Sequence, residues 1–149
     1  MFDKKLSYEN KTLYKKFLGF LIKKGSGIVA KKILDEAFSS VSKSTGFSID
    51  ILMIKLFIKL NSFVEVKKIR VRKRTIFVPF SINLKRRSYL VVKWLFEAIR
   101  EDKKRSCLSI RLAEEIFLVL SNKLAKSKKL RSINIAQAIA NRSNIHYRW

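Results

Sequence analysis

At 149 residues, with 48% hydrophobic residues and 11 Phe, the chain can bury a core of its own, which excludes a merely disordered basic arm. Lys and Arg number 34 against 11 Asp and Glu, a formal charge of +23 whose self-repulsion a polyanionic partner relieves. Nucleic acid is the usual such partner; an anionic membrane does the same, and excess Lys also aids solubility.

Residues 1–10 are polar and read as frayed or draped on a partner. A first helix is expected over about 11–24, burying Leu13, Phe17, Phe20 and Leu21 and stopping at "KKG". A second spans about 27–43 with Ile28, Ile33, Leu34, Ala37, Phe38 and Val41 inward, and Gly46 suits a left-handed cap. Ser48 can cap a third helix, with Asp50 near its positive end and Ile51, Leu52, Leu56 and Leu60 buried. The apolar runs 17–22 and 51–60 are too short and too interrupted by Lys to span a bilayer. "MFDKKLSYENK" carries neither a signal-peptide core nor a transit-peptide pattern, so a protein working in an organelle is expected to be made there.

The period then changes to two. Val64, Val66, then Ile69, Val71, then Ile76, Val78, Phe80 and Ile82 predict a two-stranded ribbon. The slip between Val66 and Ile69 predicts a bulge or sharp twist, Pro79 fits an edge, and the tip falls near 72–74. Lys67, Lys68, Arg70, Arg72, Lys73 and Arg74 crowd this ribbon beside one acid, Glu65. Like charges across strands destabilise a pair, so the ribbon is built to meet something anionic.

Helical spacing returns with Leu84, Ser88, Val91, Val92, Leu95, Ala98 and Ile99, ending near Glu101. A polar connection (101–105) leads to a fifth helix over 106–124 burying Leu108, Leu112, Ile116, Val119 and Leu120. Cys107 reads as a small core residue, Glu114 and Glu115 as surface charges. Residues 125–132 read as a basic loop and 133–146 as a final helix. The expected fold is mainly α: one domain over 1–149, a bundle of about six helices with a basic β-ribbon protruding between the third and fourth.

Catalysis finds little support. One Cys and one His exclude an internal disulfide framework and a multi-cysteine zinc site. Any triad would depend wholly on His146, and no glycine-rich loop has phosphate-cradle spacing. No enzyme activity, metal or cofactor is expected. Lys85, Arg86 and Arg87 instead stand in a first helical turn, where the dipole disfavours each cation by roughly 0.3–1 kcal/mol. A phosphate resolves that conflict. The ribbon can lie along a groove or bridge two RNA segments; Phe77 is read as buried rather than stacked on a base. Arg142, His146, Tyr147, Arg148 and Trp149 suit unstacked bases, while Tyr147 and Trp149 also suit docking on the core.

"VEV" with the basic stretch up to "VP" (64–79), "KRR" (85–87), "KWLFEAIR" (93–100) and "NRSNIHYRW" (141–149) resemble the small-subunit ribosomal protein seven family of bacteria and organelles. The likeness runs in register from about Leu13 to Trp149. It implies a structural ribosomal protein that binds small-subunit rRNA early and nucleates the head of the subunit beside neighbouring ribosomal proteins. Its ribbon would reach messenger and exit-site transfer RNA. Carried over, rRNA contacts fall on Lys23, Lys24, Lys31, Lys32, Lys67, Lys68, Arg70, Lys85, Arg86, Arg87, Lys126, Lys128, Lys129, Arg131, Arg142, His146 and Arg148. Arg72, Lys73, Arg74 and Thr75 would face transfer and messenger RNA.

The chain departs from the family pattern in three places. Arg72 and Lys73 replace paired glycines at the tip, implying a wider or RNA-shaped turn. Ser26, Gly27 and Ile28 replace cations after "KKG", and Asn144–Ile145 replace small and aromatic residues. The ending, and a composition fitting an A+T-rich genome, favour a mitochondrial ribosome; bacterial cytoplasm and plastid are the alternatives. The competing readings are a nucleoid or RNA-chaperone protein without a fixed site, and a membrane-surface protein.

Overall fold

Three helices, a hairpin and three further helices follow one another in the computed structural model, which describes residues 8–102 and 105–148. The elements are α1 (Tyr8–Leu21), α2 (Gly27–Thr45), α3 (Ile49–Leu60), β1 (Val64–Val71), β2 (Arg74–Ser81), α4 (Leu84–Glu101), α5 (Leu108–Leu120) and α6 (Lys126–Ala140), then a 3₁₀ helix (Arg142–Tyr147). The mainly helical fold, with its ribbon between the third and fourth helices, is as expected. The draped segment 1–7, the middle of the 101–105 connection and the docking of Trp149 lie outside the described residues. Of the segment expected to be frayed, Tyr8 to Asn10 instead open α1.

The core forms where apolar stripes of five helices meet. Phe17 of α1 meets Phe38 of α2 edge-on at 5.7 Å, and Phe20 stacks on Phe96 of α4 at 5.6 Å. Leu34, Leu52, Leu56, Leu95, Leu112 and Ile116 are fully enclosed around them. Gly46 caps α2 at φ 70°, its N–H donating to the Ser42 carbonyl at 2.8 Å; only glycine takes this conformation without strain. A smaller cluster of Ile82, Leu90 and Trp94, with Leu130 against it, ties α4 to α6 beneath the ribbon.

Several residues expected inward face solvent instead. Ile28 is 88% exposed, because it lies two residues before Ala30 and so roughly on the opposite side of the Ala30–Leu34–Ala37–Phe38–Val41 stripe. Ile51 and Leu84 are exposed as well, each one helical turn or less from its helix start. Cys107 is exposed at the N-cap position of α5, not in the core. That helix ends at Leu120, and Leu124 projects fully into solvent.

The largest differences lie at α6. The stretch expected to be a basic loop is its first two turns, and the chain beyond Ala140 tightens into the 3₁₀ helix instead of continuing α6. Ala125 at the N-cap offers no side-chain acceptor. Glu115 of α5 supplies one: it is buried, and its Oε1 accepts from the Ser127 N–H at 2.8 Å and the Ser127 hydroxyl at 2.7 Å. A carboxylate against the first turn of α6 also offsets Lys126, Lys128 and Lys129 at the positive end of the dipole. Glu115 is therefore a structural group, not a surface charge.

The ribbon pairs one-to-one from Val64↔Ser81 to Val71↔Arg74, so no bulge interrupts it. The apolar slip instead marks a change of face. Val64 and Val66 share a face with Pro79, whereas Ile69 and Val71 share the other with Ile76, Val78 and Phe80. The tip is a tight two-residue turn, not a wide one, with Arg72 at φ 55°.

Candidate nucleic-acid interface

At the root of the ribbon, two of the three clustered cations are occupied within the fold. Arg86 of α4 forks onto Glu65 of β1, its Nε donating to Oε2 at 2.8 Å and its Nη2 to Oε1 at 2.6 Å. Arg87 donates from Nε to the Ile82 carbonyl at 3.0 Å, and its guanidinium lies 4.2 Å from the Phe63 ring centre. Lys85 is exposed, and its carbonyl accepts from Lys16 Nζ at 2.5 Å. Burial, with the Lys85 charge second, pushes the Lys16 ammonium below its ordinary value. The dipole conflict expected for this triplet is thus met partly from inside, by Glu65.

That pair has a pH signature. The hydrogen bond from Arg86 holds the Glu65 carboxyl below its usual 4.5, with burial opposing. A carboxyl depressed in the folded state contributes stability that is present above its unfolded value and is lost as pH falls through the folded value. Wild type should therefore exceed a Glu65→Gln variant in denaturant midpoint at pH 7. The gap should close below about pH 4.5, as read from urea melts across pH.

Side chains from the C-terminal segments hold both edges of the ribbon. Asn134 Nδ2 of α6 donates to the Val64 carbonyl at 2.8 Å on β1. On β2, Asn144 Nδ2 donates to the Phe77 carbonyl at 3.0 Å, and Arg148 Nε to the Pro79 carbonyl. Pro79 is buried there, so its edge is covered and not open to water. Phe77 is 41% exposed instead of buried, with Lys68 Nζ 5.5 Å from its ring centre. Lys67 stands 5.2 Å from the Phe80 ring centre. Beyond these, Arg70, Arg72, Lys73, Arg74 and Thr75 are all exposed toward the tip.

The α5–α6 junction forms a basic hollow of about 870 Å³, lined by Lys59, Lys123, Lys126, Lys128, Lys129 and Arg131 among others. Lys59 Nζ donates to the Leu120 carbonyl and to Asn122 Oδ1 at 2.9 Å, and Lys128 Nζ reaches the same oxygen at 3.3 Å. Burial and the Lys59 charge lower the Lys128 pKa. Two ammonium groups sharing one amide oxygen repel each other, a conflict that an anion in the hollow would relieve. Lys126 also donates to Asp102 Oδ1 at 2.6 Å. Sequence reasoning missed Lys59, hidden in an apolar helix, and Lys123.

Beside the hollow lies a second cavity of about 460 Å³, between β1, β2, α6 and the 3₁₀ helix. Arg131, Arg142 and Arg148 are on its lining, so the C-terminal cations are drawn to the ribbon root. His146 is exposed, its Nδ1 2.8 Å from the Ser143 carbonyl and its ring 4.0 Å from that of Tyr147. The root, the hollow and the C-terminal segment are thus joined through α6, which packs on α4 and β1. Lys23 and Lys24 are exposed in the α1–α2 loop, Lys32 is exposed on α2 and Lys31 is half-buried there. These four stand apart, since α2 packs chiefly on α1, α3 and α5.

Among the described residues no group of three His, Cys, Asp or Glu side chains could hold a metal ion, and no helix is long and apolar enough to cross a membrane. The family model described as ribosomal protein S7p/S5e matches residues 2–142. The small ribosomal subunit protein uS7 of Wigglesworthia glossinidia brevipalpis is 33% identical over 140 residues, covering 94% of this chain and 88% of that protein. The protein of the same name from Shewanella amazonensis is 32% identical over the same shares. With a fold of helices and one basic ribbon, and a match through nearly the whole length, the chain belongs to the ribosomal protein S7p/S5e family, which is structural and not enzymatic.

Proposed function

We propose that this protein is a constituent of the small ribosomal subunit that binds small-subunit rRNA directly and nucleates assembly of the head. The observation that carries this reading is the family match over residues 2–142, and the exposed cations of the ribbon root, the hollow and the C-terminal segment support it. Lys67, Lys68, Arg70 and Lys85 to Arg87 form one stretch of the rRNA surface. Lys126, Lys128, Lys129 and Arg131 form the next, followed by Arg142, His146 and Arg148. Lys23, Lys24, Lys31 and Lys32 form a separate contact. Arg72 to Thr75, at the far end of the ribbon, face exit-site transfer RNA and messenger RNA. Neighbouring small-subunit proteins complete the setting, and the whole chain acts as one rRNA-binding unit. We place it on a mitochondrial ribosome from the Lys-, Ile-, Phe- and Asn-rich composition, while the two relatives named above are bacterial.

Filter binding to a small-subunit rRNA fragment across salt concentrations tests this reading. Each neutralised phosphate contributes a slope of about −0.9 in log K against log salt on duplex DNA, and about 6–10 contacts should make the fall steep. A nearly flat dependence, or equal affinity for any DNA of the same length, would contradict binding at a fixed rRNA site.

A further inference from the structure

The cavity between the ribbon root, α6 and the 3₁₀ helix combines two properties that a phosphate-binding surface does not need together. Its floor is apolar, with Pro79, Ile135, Ala138, Ile139 and Ile145 on the lining. Its cations are all arginines, and two of them are fixed in place. Arg131 Nε is tied to the Asn61 carbonyl at 2.8 Å and Arg148 Nε to the Pro79 carbonyl, so their terminal N–H groups remain as donors with little side-chain freedom left to lose. Phe63, 62% exposed, stands on the same wall with the Arg87 guanidinium on its ring. Asn61 lies there too, and its buried Oδ1 has no hydrogen-bond partner among the described residues.

We propose that this cavity is a receptor for one unpaired nucleotide of the bound RNA, taken out of the stack with its base on the apolar floor and its phosphate on the arginines. A backbone phosphate cannot use the floor, because burying an ionised group against isoleucine is unfavourable. An uncharged aliphatic segment of a protein offers no acceptor to the terminal N–H groups of the three arginines. A nucleotide uses both: the base face packs on apolar and aromatic groups, and the amide of Asn61 can pair with a base edge. The position fits as well. Arg131 lines both this cavity and the basic hollow, so an RNA strand held by Lys128 and Lys129 passes directly to the cavity mouth. At about 460 Å³ the space accommodates a base and its ribose, but not a base pair in its helix.

This inference rests on the proposed rRNA binding, and the experiment separates the two. Methyl NMR of the full chain would follow Ile135, Ile139 and Ile145 on addition of AMP, UMP or ribose 5-phosphate. The nucleotides should shift all three methyls and ribose 5-phosphate should not. Ala138→Phe, at a half-buried position, fills the cavity while leaving all three arginines in the sequence, and should abolish the nucleotide shifts. It should also weaken binding to the small-subunit rRNA fragment about tenfold, the scale of one lost base–aromatic stack, with the salt slope unchanged. In the wild-type complex one unpaired base should be protected from Watson–Crick-edge reagents, and it should regain reactivity with Ala138→Phe. Equal shifts from ribose 5-phosphate would reduce the cavity to a phosphate site. Unchanged rRNA affinity and protection in Ala138→Phe would overturn the proposal while leaving rRNA binding standing. Failure of the wild type to bind the fragment at all would overturn the function itself.

Discussion

Glu115→Ala is expected to lower the stability of the free protein by about 2–3 kcal/mol, a drop in Tm of roughly 5–10 °C for a chain of this size. The carboxylate accepts two hydrogen bonds from Ser127, and it is buried between α5 and α6. Its removal leaves an N–H and a hydroxyl enclosed without partners, and it strips a buried negative group from a helix start carrying three lysines, of which Asp102 pairs only Lys126. Hydrogen bonds to a charged group contribute about 1.5–3 kcal/mol, and an orphaned buried donor adds its own desolvation. Glu115→Gln keeps an acceptor oxygen and should lose less. Thermal melts of both variants measure this. A change below about 0.5 kcal/mol in Glu115→Ala, the scale of an ordinary surface substitution, would mean that α6 is held by packing alone.

A second large effect is expected from separating the root of the ribbon from its tip. Arg86→Ala with Arg87→Ala removes the fork to Glu65 and the guanidinium on Phe63. The Arg86 side chain is 47% exposed, so its ion pair is screened, and the double change should destabilise the fold by only about 1–2 kcal/mol. Binding to the rRNA fragment should fall further, by about 1.5–3 kcal/mol for each charged hydrogen bond to phosphate that is lost. Lys85→Ala is the control at the same helix start: exposed, at the positive end of the dipole, it should leave stability unchanged or slightly raised while weakening binding. Replacing Arg72, Lys73 and Arg74 together should leave rRNA affinity and subunit assembly nearly intact while disturbing exit-site transfer RNA or reading frame. A tip that proves essential for rRNA binding, with a dispensable root, would reverse the orientation assigned to the ribbon. Melts run beside the binding curves distinguish lost contacts from unfolding.

What the sequence made legible was whatever is encoded locally. The stripe through Leu34, Ala37, Phe38 and Val41, the glycine stop at Gly46 and the alternation from Val64 to Ile82 each announce an element within a few residues. What it hid depends on distant partners. The start of α6 has Ala125 where a cap residue belongs and a run of lysines where a helix should begin, because its cap comes from Glu115 on another helix. The face change in the ribbon looked like a bulge because alternation alone cannot show that different neighbours cover different parts of a strand. Asn134 and Asn144 reach the ribbon edges from about 70 residues away, and nothing in their local pattern marks that task. The candidate site divides along the same line. The clusters of charge could be read directly. The internal partners of Arg86, Arg87 and Arg148, and the cavity that Arg131, Arg142 and Arg148 line, required the third dimension.

Arg72 carries the tight turn at φ 55°, where an L-residue is strained by about 1–2 kcal/mol and glycine is not. Glycine at that position would make the hairpin easier to form and would remove a charge from the end of the arm. On the role proposed for the tip, the turn sets foldability against function at a single residue. The ribbon tip is a locally frustrated point, where the side chain present is not the one that the backbone alone would select. Such points are where selection for stability and selection for activity pull in opposite directions. A stability-driven redesign of this chain would accordingly place glycine at Arg72 and remove that charge from the tip.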